Sequence, residues 1–281
     1  MCSAIATDSA PALRAKDYKS EIKPVWCPGC GHFAVLSALT KALAYLQLRR
    51  EEVALISGIG CSSRLPAYLD SYGFHGVHGR ALAVASGLKA ARPDLTVLVA
   101  GGDGDGFSIG GNHFLHACRR NMDMTYIAMD NEVYGMTKGQ ASPTTAPEWT
   151  RSKLTPHGTG VPRFRPAGIA LAAGASFVAR GFSGDPTGLT KLLVEAVQHR
   201  GFSFLHVLSP CPTFRPEHKD WKQKVHPCRL ATTGNAAEAA RLVQEDDGKA
   251  TGLLYVEDLP VWQPGNEGQA ELSEIEAEFR V

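Results

Sequence analysis

Apolar residues in the first hundred positions follow two patterns, one typical of helices and one of buried strands. After Cys30 they recur every three or four residues, from Phe33 to Leu46, which places them on one face of a helix. Elsewhere they form short uncharged runs rich in β-branched residues, as in the central strands of a parallel sheet. The predicted helices cover 33–48 and 80–91, and the predicted strands cover 53–57 and 95–100.

The alternation of helix and strand continues through the middle of the chain. The predicted order is a helix at 109–120, then strands at 125–130, 176–179 and 202–208. The Pro-, Thr- and Arg-rich stretch 141–166 predicts a long loop. Asp185 and Pro186 mark the start of a further helix before the last strand, because Asp185 can cap it and Pro186 fits its first turn. This order predicts an α/β fold in which helices flank a parallel sheet.

The two ends of the chain lack the clear periodicity of the middle. Residues 1–23 mix small and charged side chains and predict an N-terminal arm, either mobile or strapped to a partner. Residues 24–215 carry the α/β pattern. The remaining residues, 216–281, predict a C-terminal extension with a helix near 236–244 and a short strand at 252–256. Because we find no internal repeat and no clear linker, we expect one domain with extensions.

Composition and charge exclude several classes of protein. The 281 residues are 44% hydrophobic and 20% charged, which is ordinary for a globular protein. The formal net charge of +1 gives no field that would attract nucleic acid or an anionic membrane. The sequence has no run of the roughly 18 apolar residues that a spanning helix needs, and Asp8 and Arg14 interrupt the place of a signal-peptide core. We therefore expect a cytoplasmic protein with no membrane or nucleic-acid partner.

A carboxylate between two glycines follows one of the predicted strands. Asp103 lies where the carboxyl end of a parallel strand would meet a ligand, and its neighbouring glycines let backbone amides approach an anion. Alone, the Gly-Asp-Gly triplet is equally consistent with an ordinary turn. The 27 residues between Asp103 and Asn131 accommodate one helical crossover and one strand, so both residues reach the same sheet edge. With the backbone carbonyl of Val133, they supply the oxygen ligands that Mg²⁺ favours beside a diphosphate.

Four of the seven cysteines lie in loops rich in glycine, proline and serine. Cys27 and Cys30 form a Cys-x-x-Cys pair, which in a cytoplasmic protein indicates metal or redox chemistry ahead of a structural disulfide. Cys61 falls in the small-residue loop 58–63, and Cys211 follows the last predicted strand of the domain. Four thiolates can hold a [4Fe-4S] cluster or a structural zinc ion, and a Cys-x-x-Cys pair alone does not exclude zinc.

These motifs resemble those of a known family. The Gly-Asp-Gly triplet with Asn131 is similar to the diphosphate-binding motif of thiamine diphosphate enzymes. Four further segments resemble the β subunit of 2-oxoacid:ferredoxin oxidoreductases: WCPGCGH at 26–32, GIGCSSR at 58–64, HGVHGRA at 75–81 and YGMTKGQ at 134–140. The resemblance covers 24–215 and implies a thiamine diphosphate-binding fold of the diphosphate type.

The resemblance implies three groups of site residues. The expected thiamine diphosphate contacts are Ile59, Gly60, Cys61, Ser62, His78, Gly104, Asp105, Gly135 and Met136. The expected Mg²⁺ ligands are Asp103, Asn131 and Val133, and the expected ligands of one [4Fe-4S] cluster are Cys27, Cys30, Cys61 and Cys211. Iron is favoured over zinc because Cys61 lies in the loop that would touch the thiamine, where an electron carrier has a use.

The resemblance also implies a reaction and partners. Family members decarboxylate a 2-oxoacid oxidatively and reversibly, transfer the acyl group to coenzyme A and pass two electrons through the cluster to ferredoxin. The glutamate that activates thiamine comes from the companion α subunit, so we expect no catalytic acid on this chain and an (αβ)2 assembly. Glu132 is predicted to be a solvated loop acid and not that glutamate.

Three cationic residues are candidates for binding the substrate. Arg64, Arg80 and Lys138 follow or lie within the motifs and could form charge-assisted hydrogen bonds with substrate carboxylates. Arg64 and Lys138, together with the Thr-Lys-Gly-Gln segment at 137–140, favour 2-oxoglutarate, a dianion, as the substrate. The alternatives are a pyruvate, indolepyruvate or broad 2-oxoacid oxidoreductase, and a non-catalytic iron–sulfur subunit that transfers electrons on the same fold.

Overall fold

The computed structural model describes residues 12–228 and 234–263. Its strands are β1 (Val53–Ser57), β2 (Tyr72–His75), β3 (Thr96–Gly102), β4 (Met124–Asp130), β5 (Phe177–Phe182), β6 (Phe202–Leu208), β7 (His226–Pro227) and β8 (Ala250–Val256). Its α-helices are α1 (His32–Leu46), α2 (Ala81–Ala91), α3 (Gly111–Arg120), α4 (Pro166–Ala172), α5 (Pro186–Gln198), α6 (Trp221–Lys224) and α7 (Ala236–Glu245).

The strands form one sheet in the order β2-β1-β3-β4-β6-β5-β8-β7. β1 to β6 pair in parallel, and β8 adds to β5 in the antiparallel sense. The carboxyl ends of the six parallel strands therefore lie along one edge. Ligands of open α/β sheets bind at such an edge.

The parallel sheet and its flanking helices confirm the predicted fold class. The strands Val53–Ser57 and Phe202–Leu208 begin and end where the sequence predicts them. Asp185 caps α5 as expected, since its carboxylate accepts a hydrogen bond from the backbone of Gly188. The sequence analysis did not identify β2, because a four-residue exposed edge strand carries too short a pattern to mark it.

The core divides into two layers because side chains alternate across the central strands. On β6, Phe202 and Phe204 face one layer, and Leu205 and Val207 face the other. The first layer packs under α2, α3 and α4. The second layer packs under α1 and α5, which contributes the fully buried Leu193.

Both predicted extensions contact the domain in their described parts. Tyr18 of the arm is fully buried, and its hydroxyl donates to the carbonyl oxygens of Leu43 and Leu48 at 3.1 and 2.6 Å. β8 of the C-terminal extension joins the sheet. Residues 1–11, 229–233 and 264–281 of these segments lie outside the described residues. Within the described chain, none of the helices has the length and apolar character to cross a membrane.

Candidate functional site

The strand ends bring the predicted magnesium ligands together. β3 and β4 are neighbours, and Gly102 pairs with Met129 in their register. Asp103 and Asn131 follow these strands by one residue each at the same sheet edge, as the crossover spacing predicts. Asp103 is 2% exposed and Asn131 is 8% exposed, so both side chains sit at the bottom of a depression.

The Asp103 carboxylate is held from the loop that follows β4. Its Oδ2 accepts hydrogen bonds from the hydroxyls of Ser142 and Thr144, the second at 2.9 Å. The same Thr144 hydroxyl lies 2.8 Å from Oδ1 of Asp130, which contacts His206 Nε2 at 2.8 Å through its other oxygen. A single hydroxyl proton cannot serve two ionised carboxylates at once. A bound cation or a carboxyl proton would relieve the contact that this hydroxyl cannot serve, while Asp130 also accepts from the backbone of Glu132 at 2.9 Å.

The electrostatics of Asp103 fit a cation site. Burial, and secondly the charge of Asp130, raise the pKa of Asp103 to about 8. A dication bound between Asp103 and Asn131 would lower the pKa of Asp103 again, because an opposite charge within a few ångströms favours the ionised carboxylate. The Asn131 side-chain oxygen already accepts from the backbone of Val133 at 3.2 Å, which fixes its orientation.

Asp105 organises the loops beside this site. Its Oδ1 accepts from the backbone of Ile59 at 2.9 Å and of Gly79 at 2.7 Å, and His78 Nδ1 lies 3.0 Å away. Gly58 must be glycine here, because a Cβ at that position would lie 2.1 Å from the Asp105 carboxylate. Burial raises the pKa of Asp105, whereas the two backbone donors lower it.

A cavity of about 380 Å³ opens above these residues. It is lined by every expected thiamine contact, namely Ile59, Gly60, Cys61, Ser62, His78, Gly104, Asp105, Gly135 and Met136, and by Asp103, Asn131 and Val133. Tyr134, Thr137 and Gln140 also line it and were not singled out as contacts from the sequence. The Tyr134 ring packs so tightly over Gly104 that a Cβ there would lie 2.1 Å from it.

The four cysteines of the predicted cluster meet in an adjoining cavity of about 230 Å³. Its lining includes Cys27, Cys30, Cys61 and Cys211, and all four are free thiols. The cavity shares Cys61, Asn131, Gly135 and Met136 with the larger cavity above Asp103. Thiols drawn from three separate loops thus lie beside the predicted diphosphate site.

The spacing of the four sulfurs bears on which centre they could hold. Tetrahedral zinc with bonds of about 2.3 Å brings thiolate sulfurs to about 3.8 Å from one another. Among the described residues, no three of these sulfurs lie within 4.8 Å of one another. The four sulfurs therefore do not form a preformed tetrahedral zinc site within the described residues. Burial, and to a smaller extent the neighbouring sulfurs, raise the pKa of Cys30 to about 12, so the thiolates need a cationic centre to ionise together.

The three candidate substrate residues occupy different positions. Arg64 is exposed and lines the cysteine cavity. Arg80 lies at the start of α2, and its guanidinium is 3.5 Å from the Ile109 carbonyl oxygen. Lys138 is exposed and has a φ of 70°. Neither Arg80 nor Lys138 belongs to the lining of the two cavities.

Glu132 is not the solvated loop acid that the sequence indicated. It is 6% exposed and forms ion pairs with Arg215 at 2.9 Å and Lys249 at 3.2 Å. Burial alone would raise its pKa, but His218, Lys249 and Arg215 outweigh burial and lower it. That prediction was wrong because these partners lie 83 or more residues away in the sequence.

Comparison with known proteins identifies the family. Residues 58–207 match the thiamine pyrophosphate enzyme, C-terminal TPP binding domain. A 2-oxoglutarate oxidoreductase subunit KorB from Mycobacterium tuberculosis is 49% identical over 201 residues, 72% of this chain and 54% of that protein. The β subunit of 2-oxoacid:ferredoxin oxidoreductase 2 from Aeropyrum pernix is 44% identical over 70% of this chain and 64% of that protein. This chain belongs to the 2-oxoacid:ferredoxin oxidoreductase β-subunit family.

Solved structures agree with the membership of this family. A 2-oxoglutarate:ferredoxin oxidoreductase from Magnetococcus marinus, with 2-oxoglutarate, coenzyme A and succinyl-CoA bound, matches with a TM-score of 0.86 and 47% identity. The match covers 89% of this chain and 87% of that chain. By contrast, the alignment spans only about half to two thirds of the length of the first two curated β-subunit relatives.

Proposed function

We propose that this chain is the β subunit of a 2-oxoglutarate:ferredoxin oxidoreductase. Together with an α subunit, it would convert 2-oxoglutarate and coenzyme A into succinyl-CoA and carbon dioxide and deliver two electrons to ferredoxin. The observation that carries the proposal is the shared lining of the two cavities at Cys61 and Asn131. A redox centre on the cysteines would lie next to the cofactor that it oxidises.

Different residues of the chain would hold the magnesium ion, the thiamine diphosphate and the cluster. Asp103, Asn131 and the Val133 carbonyl would hold Mg²⁺, and the loop at 59–62 with His78 would face the thiamine diphosphate. Bound thiamine diphosphate supplies the carbanion chemistry of decarboxylation. Asp105 fixes the two loops that line the thiamine diphosphate site, because its Oδ1 accepts hydrogen bonds from the backbone of both Ile59 and Gly79. Cys27, Cys30, Cys61 and Cys211 would hold one [4Fe-4S] cluster.

The choice of 2-oxoglutarate rests on relatives and on one exposed cation. Curated relatives from Archaeoglobus fulgidus and Methanocaldococcus jannaschii are 2-oxoglutarate synthase subunits and are 47% and 45% identical to this chain. Arg64 lines the cysteine cavity with an exposed side chain and no hydrogen bond or ion pair within the described chain. It is therefore available to the distal carboxylate of a dicarboxylic substrate. Pyruvate or a broad range of 2-oxoacids remains the alternative substrate class.

The acidic side chains at the site indicate why the proposed enzyme needs a partner subunit. Asp103 and Asp105 are committed to the metal site and to the loops, and Glu132 is paired with Arg215. No other acidic side chain lines the cavity above Asp103 in the described chain. The activating glutamate would come from the α subunit in an (αβ)2 assembly, with ferredoxin as a transient partner, in the cytoplasm.

Reconstitution tests this function. The chain is co-expressed with its α subunit without oxygen, and the reduction of ferredoxin is followed with coenzyme A and either 2-oxoglutarate or pyruvate. We expect turnover that requires both subunits and prefers 2-oxoglutarate. Equal or better turnover of pyruvate would contradict the substrate, and turnover by the purified chain alone would contradict the need for an α subunit. Wild-type complex without iron and thiamine would contradict the cofactor assignment.

A further inference from the structure

Glu132 lies in the segment 131–133, which holds two predicted Mg²⁺ ligands and which we call the metal loop. Its side chain connects this loop to the segment 211–218, which we call the Cys211 loop. Glu132 directly follows the predicted Mg²⁺ ligand Asn131 and has the left-handed backbone angle φ of 52°. This conformation is uncommon for a residue other than glycine and is maintained only where the surroundings hold it. Its side chain points away from the cavity above Asp103, whose lining does not include it, and toward Arg215 and His218.

Arg215 is held on every side of its guanidinium group. Nη1 donates to the Glu132 carbonyl oxygen at 2.6 Å, and Nη2 donates to the Glu132 carboxylate at 2.9 Å. Nε donates to Glu217 at 2.7 Å, and the guanidinium carbon lies 4.6 Å from the centre of the Trp149 ring. A guanidinium that is only 4% exposed and bound in this way fixes the backbone that carries it.

His218 fixes the other end of the Cys211 loop. Its Nδ1 accepts a hydrogen bond from the backbone of Cys211 at 3.3 Å, so that nitrogen carries no proton. Its Nε2 lies 3.6 Å from the Glu132 carboxylate, and its ring stacks on Trp221 at 3.8 Å between ring centroids. Arg215 and His218 thus contact the same carboxylate from two points of one loop.

The loop folds back on Cys211 in a tight turn. The backbone of Arg215 donates to the Cys211 carbonyl oxygen at 3.0 Å, which closes this turn. Cys211, Pro212, Thr213 and Phe214, which the turn contains, all line the cysteine cavity. Backbone dipoles beside a cluster stabilise the negative charge that increases when the cluster is reduced.

We infer that Arg215, anchored by Glu132, is a positioning residue that holds the turn of the Cys211 loop against the cysteine cavity and thereby sets the reduction potential of the cluster. This inference rests on the proposed function, since it assumes a cluster on Cys211. The metal loop and the Cys211 loop would then both be held by the buried Glu132 carboxylate. The predicted thiamine site and the predicted cluster are therefore connected through Glu132 and Arg215 as well as through the adjoining cavities.

Arg215→Lys tests the inference without changing the charge. Lysine keeps the positive charge but cannot form the paired hydrogen bonds with Glu132, so the loop would lose its anchor. We expect a more negative midpoint potential and altered EPR g-values of the reduced cluster in the complex with the α subunit, measured by EPR-monitored redox titration. Arg180→Lys is the control of matched burial. Arg180, on β5, is also 4% exposed, and its hydrogen bonds in the described chain go to His206, Asp246 and Ala250, not to Glu132 or the Cys211 loop.

The outcomes separate the inference from the proposed function. A potential and g-values equal to wild type, or an equal shift in Arg180→Lys, would overturn the inference while the cluster assignment stands. If Arg215→Lys loses iron, the second variant is Glu132→Asp, which keeps the negative charge but shortens the side chain that holds Arg215. A more negative potential in Glu132→Asp supports the positioning role, and a wild-type potential contradicts it. Wild-type complex without iron would overturn the cluster assignment and the inference together.

Discussion

The indole nitrogen of Trp26 donates a hydrogen bond of 2.7 Å to the backbone carbonyl oxygen of Cys61. This bond joins the Cys27–Cys30 segment to the loop after β1, which lie 35 residues apart in the sequence. The ring is 8% exposed and packs edge-on against Tyr68, with 4.8 Å between ring centroids. The relative position of two predicted cluster loops therefore depends on one aromatic side chain.

Trp26→Phe should loosen these loops. It keeps an aromatic ring but leaves the Cys61 carbonyl without its donor, which costs about 1–3 kcal/mol when the group stays buried. We expect lower thermal stability and faster loss of iron in air, measured by calorimetry and by iron content over time. Trp262→Phe, at a 42% exposed position, is the control. Iron loss at the wild-type rate would mean that the bond does not hold the loops.

Thr144→Val should weaken metal binding at Asp103. Valine has nearly the same shape as threonine but lacks the hydroxyl that contacts the Asp103 and Asp130 carboxylates. Loss of a partner that orients a metal ligand typically lowers metal affinity by about 10–100-fold. Mg²⁺-dependent retention of thiamine diphosphate measures the effect, with Thr190→Val on α5 as the control. An unchanged Mg²⁺ requirement would argue against Asp103 as a ligand.

Tyr18→Phe should show that the described part of the N-terminal arm belongs to the fold. The fully buried hydroxyl serves two carbonyl oxygens at the end of α1 and just beyond it, and its removal leaves both without this donor. We expect the free energy of unfolding to fall by about 1–3 kcal/mol, measured by urea denaturation. Tyr45→Phe, whose side chain is 74% exposed, should leave stability unchanged. Equal stability of the two variants would contradict the anchoring role of Tyr18.

His199 should contribute to the loss of stability in acid. Burial lowers the pKa of this half-buried imidazole, with a smaller opposing effect of Asp258 and Asp123. The unfolded chain, with an ordinary pKa of about 6.5, therefore binds the proton more tightly than the folded one. The contribution of His199 is complete above that pH and is lost as the pH falls below it. His199→Asn should show a smaller drop in urea midpoint than wild type between pH 7.5 and 5.5, and parallel curves would contradict this.

Much of the fold could be predicted because its elements are marked locally. The uncharged run of β3 and the Asp185-Pro186 start of α5 carry their signals within a few residues. The crossover length between Asp103 and Asn131 likewise follows from chain geometry. By contrast, β2 is a four-residue edge strand exposed on all its residues, and it was not predicted. The strand at 252–256 was predicted, but its antiparallel pairing with β5 depends on contacts between distant parts of the chain.

Residue type and spacing along the chain were enough to predict the α/β class, the Gly-Asp-Gly triplet with Asn131, and the four candidate cysteines. The shared lining of the two cavities at Cys61 and Asn131, and the burial of Glu132 against Arg215 and Lys249, emerged from the folded chain. Those contacts join loops from different strand ends. Long-range packing of the sheet creates them, and no local pattern encodes such packing.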